Sequence, residues 1–226
     1  MSIAKREFTP AAGRIVPTAW YDRLLAVLTR EARWRETLLQ LVAPQPGERI
    51  LDVGSGTGTF AILLKQASPE STIVGLDPDG TARAIAMQKA KDVGVHVDWV
   101  EGFARDASKF GTFDKVVSSL VFHQVPVIEK RAGLAAMFAA VRPGGIVCIA
   151  DYARQSRWLM RQAFRIVQAA DGKADTQPNA DGFLELELSR LAGRKVEPKL
   201  VVDTPTGTIS LFALRSESGI PPNLGS

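Results

Sequence analysis

Residues 50–58 read Ile50-Leu51-Asp52-Val53-Gly54-Ser55-Gly56-Thr57-Gly58, and this stretch decides the fold. It opens in a short apolar run from Arg49 to Val53, whose continuous hydrophobicity fits a strand buried on both faces. The glycines that follow carry no Cβ, so the backbone can turn sharply there and a ligand can come close. Residues 59–67 then read as a helix, whose first turn offers backbone N–H groups with no partner inside it. In a doubly wound sheet built from such strand–turn–helix units, ligands sit outside the carboxyl ends of the strands, where strand order reverses.

Moving outward, the same alternation continues. Strands are expected at 72–76, 95–100, 113–118 and 146–150, with helices at 81–93 and 128–141; Pro143-Gly144-Gly145 stops the second helix. A long helix over 155–170, a polar stretch over 171–181 and a short helix over 183–192 come next. Strands at 196–202 and 208–214, separated by residues 203–207, read as a hairpin. The expected fold class is α/β: a doubly wound, Rossmann-like, seven-stranded sheet, mostly parallel with the last strand antiparallel. On the amino side, Tyr21, Leu24, Leu25 and Leu28, then Trp34, Leu38, Leu41 and Val42, recur at helical spacing, and Pro44, Pro46 and Gly47 end that pattern. The expected organisation is an N-terminal helical cap over 1–43, a ligand-binding domain over 44–215 with a helical insertion at 152–192, and a tail over 216–226.

Composition narrows the class. A length of 226 residues suits one domain of moderate size, and a hydrophobic fraction of 46% supplies a core. No apolar run reaches the roughly 18–20 residues that span a bilayer, and residues 1–10 have no apolar signal region. The single cysteine, Cys148, lies in an apolar run, which excludes an intramolecular disulfide framework and a cysteine metal cluster. The expected compartment is the cytoplasm. The net charge of +4 comes from 28 basic and 24 acidic residues with no block of like charges, so no nucleic-acid partner is expected.

The acids around the glycines discriminate between ligands. Asp77 ends the second strand, 19 residues after Gly58, where an acid can accept hydrogen bonds from ribose hydroxyls. A dinucleotide fingerprint spaces its glycines G-x-G-x-x-G, whereas this chain has G-x-G-x-G and Thr at position 59. Asp52 precedes the loop; a carboxylate there disfavours a pyrophosphate and favours an ammonium group.

With those residues in hand, the run from 50 to 58 resembles motif I of the class I S-adenosylmethionine (SAM) dependent methyltransferases. Val74-Gly75-Leu76-Asp77-Pro78 is similar to the family's next motif, residues 113–118 to its fourth-strand motif, and Val141-Arg142-Pro143-Gly144-Gly145 to the turn before strand five. The four cover about 45–150 in order, and the resemblance is greatest to the UbiE-like branch, which includes small-molecule and lipid methyltransferases. The resemblance implies that Asp52 and the backbone of Gly54, Ser55 and Gly56 face the methionine part of SAM. Asp77 would take the ribose hydroxyls, and Pro78 would pack on the adenine. Residues 102–104, including Phe103 and Ala104, would lie along the adenine edge, and Ser118 and Ser119 would offer carbonyls to the ammonium. Relatives often read Gly-Asp-Ala where this chain has Gly102-Phe103-Ala104; the expected replacements are Phe103 packing on the ring, the Ala104 N–H as a donor, and Asp106 for the adenine amino group.

The chemistry requires little of the protein beyond positioning, since a sulfonium methyl is already activated. A general base is needed only if the acceptor loses its proton early. His96, in the third strand, reads as structural. His123 follows strand four in a place where relatives often carry Leu-His-His, and it is the candidate base or acceptor contact. Other acceptor contacts are expected from Trp20 and Tyr21, with Arg30, Arg33 and Trp34 on the same N-terminal segment, and from Trp158 and Arg161 in the insertion. Arg154, Arg157, Arg161 and Arg165 form a basic stripe and Leu159, Ala163, Ile166, Val167 and Ala170 an apolar one. That pattern suits a solvated face, or attraction to an anionic substrate, membrane or lipid headgroup. No metal is expected, because no metal-ligand motif occurs. The expected function is SAM-dependent methyl transfer to a small-molecule acceptor, releasing S-adenosylhomocysteine. The alternatives are a lipid-headgroup or quinone-precursor acceptor and, from another class, a nicotinamide-dependent oxidoreductase.

Overall fold

A computed structural model describes residues 31–216. Trp20, Tyr21 and Arg30 lie outside the described residues, as do 217–226. The seven strands are β1 (Arg49–Val53), β2 (Thr72–Asp77), β3 (Asp98–Glu101), β4 (Phe113–Ser119), β5 (Val141–Tyr152), β6 (Leu200–Thr204) and β7 (Gly207–Arg215). They form one sheet in the order β3-β2-β1-β4-β5-β7-β6. Pairing is parallel from β3 to β5, while β7 runs antiparallel to both β5 and β6. The expected doubly wound sheet with a reversed last strand is therefore present. Strand order reverses between β1 and β4, so their carboxyl ends open the crevice where this architecture binds ligands.

Alternating side chains along each strand feed two cores. On one face, Leu51, Val53, Val116 and Ile149 pack with α4 (Val127–Ala140) and α7 (Phe183–Ala192). On the other, Ile50, Ile73, Val117 and Cys148 pack with α1 (Glu31–Val42), α2 (Thr59–Ala67) and α5 (Trp158–Asp171). Trp34, Leu38 and Val42 of α1 are wholly buried, so the described part of the cap is continuous with the sheet's core. Burying each such side chain stabilises the fold by about 1.5–3 kcal/mol. Cys148 is buried in the same core, and burial pushes its thiol up to about 12.

Several boundaries differ from expectation, each for a tertiary reason. The third strand begins at Asp98 rather than 95: Val97 is buried, but pairing with β2 starts only at Val74↔Asp98. The sixth begins at Leu200 rather than 196: Val196 belongs to the core, and Pro198, lacking an N–H, precedes the ladder. Pro143-Gly144-Gly145 does not separate a turn from a strand. It loops out within β5, between the pairs Phe113↔Val141 and Lys115↔Ile146. Ser216, assigned to the tail, exchanges hydrogen bonds with the strand through Gly144 and Gly145. Residues 104–110 form a 3-10 helix that the sequence reading passed over. The polar stretch 171–181 holds a helix, α6 (Lys173–Ala180), despite Pro178 inside it. Its Thr176 and Asn179 are buried against the rest of the molecule, and tertiary capture of this kind overrides weak helix propensity. The remaining helix, α3 (Gly80–Asp92), is capped by Asp79, whose side chain accepts from the Thr81 and Ala82 N–H groups.

Candidate functional site

The fold brings Asp52, Gly54, Ser55, Gly56, Asp77, Ser118 and Ser119 to the carboxyl ends of β1, β2 and β4. The three loop glycines meet different surroundings. A Cβ on Gly54 would lie 2.2 Å from Val121 Cγ2, and one on Gly58 would lie 2.5 Å from the Trp99 ring. Those two glycines permit close packing. Gly56 has a φ of +52°, yet nothing stands within 4 Å of where its Cβ would be. The space beside Gly56 is therefore open.

The loop's N–H groups point inward. Gly54 and Ser55 both donate to the Leu76 carbonyl, at 2.8 and 3.1 Å. Gly56 donates to Asp77 Oδ2 at 2.8 Å, and Asp79 donates to Asp77 Oδ1 at 2.8 Å. A pyrophosphate cradle needs loop N–H donors facing the ligand; here three of them are engaged with β2.

Asp52 is the reverse case. It is 1% exposed, and neither carboxylate oxygen receives a hydrogen bond of good geometry. Burial pushes its carboxyl up to about 7; the Arg35 charge opposes this, the Asp77 charge adds to it, and the Ala61 N–H pulls back weakly. Asp77 is also raised, chiefly by burial, against the pull of the Asp79 and Gly56 N–H groups. The buried hydroxyls of Ser55 and Ser118 are without partners as well. A buried polar group with no partner costs free energy, and a buried carboxylate costs more. A cationic ligand held at Asp52 would relieve that cost, and an anionic one would add to it.

Pro78 follows Asp77 and is half-buried. Phe103 is 39% exposed, with the Arg105 guanidinium 4.3 Å from its ring centroid. Asp106 is committed elsewhere: it accepts from the Phe103 N–H at 3.0 Å and from Lys109 Nζ at 2.6 Å. Ala104 begins the 3-10 helix. His96 is exposed before β3, at the amino end of the strands, with Nε2 3.0 Å from Asp98 Oδ1.

On the β4–β5 side the backbone turns at Leu120, whose φ is +55°. Asp151 ends the apolar run of β5 and is wholly buried. Its Oδ2 accepts from the Val121 and Phe122 N–H groups, at 3.0 and 2.6 Å. Its Oδ1 accepts from the Tyr152 N–H at 2.7 Å and lies 2.7 Å from His123 Nδ1. His123 Nε2 lies 3.4 Å from Asp171 Oδ2, and the ring meets Tyr152 edge-on at 5.1 Å. Burial alone would lower the His123 pKa, but the charge and hydrogen bond of Asp151, with Asp171 behind them, raise it to about 9. Both ring nitrogens of His123 thus face carboxylates, an arrangement that favours the imidazolium form.

Lys130, in α4, is wholly buried. Its Nζ donates to the carbonyls of Phe122, His123 and Asp175 and to Asn179 Oδ1. Burial brings its pKa down to about 8, opposed by the charges of Asp151 and Asp175. Asn179 Nδ2 donates in turn to the Tyr152 carbonyl at 2.7 Å. Sequence reasoning missed Asp151, Asp171, Lys130 and Asn179. One signal was present: Asp151 ends an apolar strand, as Asp52 and Asp77 close theirs.

In the insertion, Trp158 is 73% exposed. Arg161 is turned back on its own fold, with Nε donating to the Gln155 carbonyl at 2.8 Å and Nη1 3.6 Å from Asp181 Oδ1. Leu159 and Ile166 are more than half exposed on the same helix, while Val167 is buried.

Comparison with known proteins agrees with this geometry. A family model described as "Methyltransferase domain" matches residues 50–145. Demethylmenaquinone methyltransferase of Thermus thermophilus is 32% identical over 136 residues, covering 58% of this chain and 60% of the relative. That of Geobacillus kaustophilus is 30% identical over 165 residues, covering 69% of this chain and 70% of the relative. The chain thus spans 60% of the length of the Thermus relative. Among solved structures, an O-methyltransferase family protein from Burkholderia thailandensis superposes with a TM-score of 0.68 at 20% identity, over 89% of this chain and 60% of that one. A magnesium protoporphyrin IX methyltransferase from Synechocystis, with bound SAH, gives 0.63 at 17% identity, over 88% and 100%. At these identities the structures show the shared fold.

Proposed function

The chain belongs to the class I SAM-dependent methyltransferases, in their UbiE-like branch, and from that premise we propose that it transfers the methyl group of SAM to a small-molecule acceptor at oxygen, nitrogen or carbon. The observation that carries the reading is Asp52, a buried carboxylate without a hydrogen-bond partner beside a glycine loop whose N–H groups are turned away. That combination fits an ammonium and repels a pyrophosphate, so it favours SAM over a nicotinamide dinucleotide.

When bound, SAM supplies a methyl group already activated on a sulfonium. The residues that would hold it are Asp52 and the loop from Gly54 to Gly56 at the methionine part, and Asp77 at the ribose. Pro78, Phe103 and Ala104 line the adenine side, and Ser118 and Ser119 offer backbone carbonyls. Asp77 already fixes Gly56 and Asp79, so it shapes the loop as well as facing the ribose. Because Asp106 is held by Phe103 and Lys109, it is left out of the adenine contacts in this reading.

His123 enters as a fixed cation rather than as the general base. An imidazolium has no lone pair to take a proton, and both ring nitrogens already face carboxylates. The protein's contribution to the reaction is then orientation and exclusion of water. Calorimetric titration with SAM and with NAD tests the reading: micromolar-range binding of SAM and none of NAD is expected, and the reverse would overturn it.

Exposed Trp158, Leu159 and Ile166 on α5 favour a second reading of the acceptor, as a lipid headgroup or quinone precursor reached at an anionic membrane. Residues 152–170 hold four arginines and no acid, and such a face suits an anionic interface. Among the described residues no helix is long and apolar enough to cross a membrane, so the contact would be peripheral. Sedimentation with vesicles should carry the protein down with anionic lipid and leave it in the supernatant with neutral lipid. Equal partition in both would remove this reading.

A further inference from the structure

We infer that Asp151 is a positioning residue for the glycine loop: it sets the segment after β4 so that Val121 closes on Gly54, and through its buried partners it ties that segment to α5 and α6. The inference rests on reading the glycine loop as the donor site.

The segment after β4 holds a conformation that it would not choose alone. Leu120 lies in the left-handed region, which is unfavourable for a residue with a branched side chain and persists only where the surroundings over-determine it. The Leu120 N–H is fixed on the Ala150 carbonyl at 2.9 Å. The next two N–H groups are fixed on a single carboxylate oxygen of Asp151. Between those anchors Val121 is presented to Gly54, filling the space a Cβ would take. The glycine loop on β1 and the segment on β4 therefore interlock through side-chain packing.

The far side of Asp151 reaches the helical insertion. His123 bridges Asp151 of β5 to Asp171 at the end of α5. Lys130 joins the Phe122 and His123 carbonyls to Asp175 and Asn179 of α6. His123 lies between Asp151 and Asp171, and all the oxygens around Lys130 Nζ come from the segment after β4 and from α6. Satisfied networks of this kind hold one arrangement and lose it together when a member is removed. Asp151 binds the Val121, Phe122 and Tyr152 N–H groups and His123, and of these Val121 is the one that meets the glycine loop.

The test uses the full chain with the substitutions Asp151→Asn and Val121→Ala, each followed by amide hydrogen exchange and by calorimetric titration with SAM. In the parent protein the Gly54, Ser55 and Gly56 N–H groups are hydrogen-bonded and should exchange slowly. Asp151→Asn should speed exchange across 54–58 and 120–123 about tenfold or more, with α3 and β3 unchanged, and should weaken SAM binding about tenfold. Val121→Ala leaves the polar cluster whole and should speed exchange at 54–58 alone. Parent-like exchange at 54–58 in both variants would overturn the inference, as would a uniform rise across the whole sheet, which marks general loosening. If the parent protein binds no SAM, the reading of the donor site fails, and the exchange pattern still decides the positioning role.

Discussion

Asp52 and Asp151 are both buried aspartates near the carboxyl ends of parallel strands, and they are treated oppositely. Asp151 receives three backbone N–H groups and an imidazole. Asp52 receives no hydrogen bond of good geometry, and burial lifts its pKa to about 7. The contrast separates the two sides of the crevice. On the β4–β5 side, electrostatic groups meet one another and hold the architecture. On the β1–β2 side, Asp52 is left without such donors, which is the ground for proposing it as the ammonium contact. A buried acid marks a binding site only when the protein has not already satisfied it.

The comparison can be broken most easily through stability. Asp151→Ala should cost about 3–5 kcal/mol, because it leaves His123 and the Val121 and Phe122 N–H groups buried without their acceptor. Asp52→Asn should leave the ligand-free protein as stable or more so, since it removes a carboxylate whose burial outweighs the opposing Arg35 charge. Parallel denaturant titrations measure both, and equal losses would erase the distinction.

Binding sharpens it from the other direction. Asp52→Asn should weaken SAM binding by about 1.5–3 kcal/mol, roughly 10- to 150-fold, the range of a hydrogen bond to a charged group. In the parent protein, SAM affinity should rise with pH from about 5 to 7 as Asp52 ionises, and Asp52→Asn should flatten that rise. A parent affinity independent of pH over this range would contradict an ammonium at Asp52.

A smaller effect belongs to His123. Its folded pKa of about 9 lies above its ordinary 6.5, so the stability it contributes is fully present below about 6.5 and is lost as pH rises through 9. Asp52, at about 7, and Lys130, at about 8, titrate in the same range, so the share of His123 is read as the difference between the parent protein and His123→Gln. That difference should fall by about 1 kcal/mol per pH unit between pH 7 and 8. An effect of similar size is expected at Gly56. Gly56→Ala should cost about 1–2 kcal/mol for a non-glycine at positive φ, with no steric clash in the fold, and a further loss of SAM affinity because the new methyl group enters the open face.

The elements legible in the sequence were those with local signatures. The strand β1, the helices α2 and α7 and the terminal hairpin follow from apolar runs, glycines and spacing. α6 was not legible, because a polar segment with a proline becomes a helix only when Lys130 and Tyr152 fix it from outside. Lys130 itself sits in an apolar helix, where its sequence context says nothing of the four oxygens that surround it. Asp106 was read as a ligand contact because its neighbours suit one; the fold turns it to Phe103 and Lys109.

By itself the sequence determined the sheet, the glycine turn and the acids Asp52 and Asp77 at the first two strands, since these depend on residues within one or two turns of chain. Only the tertiary structure decided which acid remains open. The donors that satisfy Asp151 come from 28 to 30 residues earlier in the chain as well as from its own neighbour, and the loop N–H groups withheld from a ligand are taken up by Leu76 and Asp77. Hydrogen-bond satisfaction is a property of packed neighbours, so the same residue at the same kind of position can be fully satisfied in one strand and left open in another.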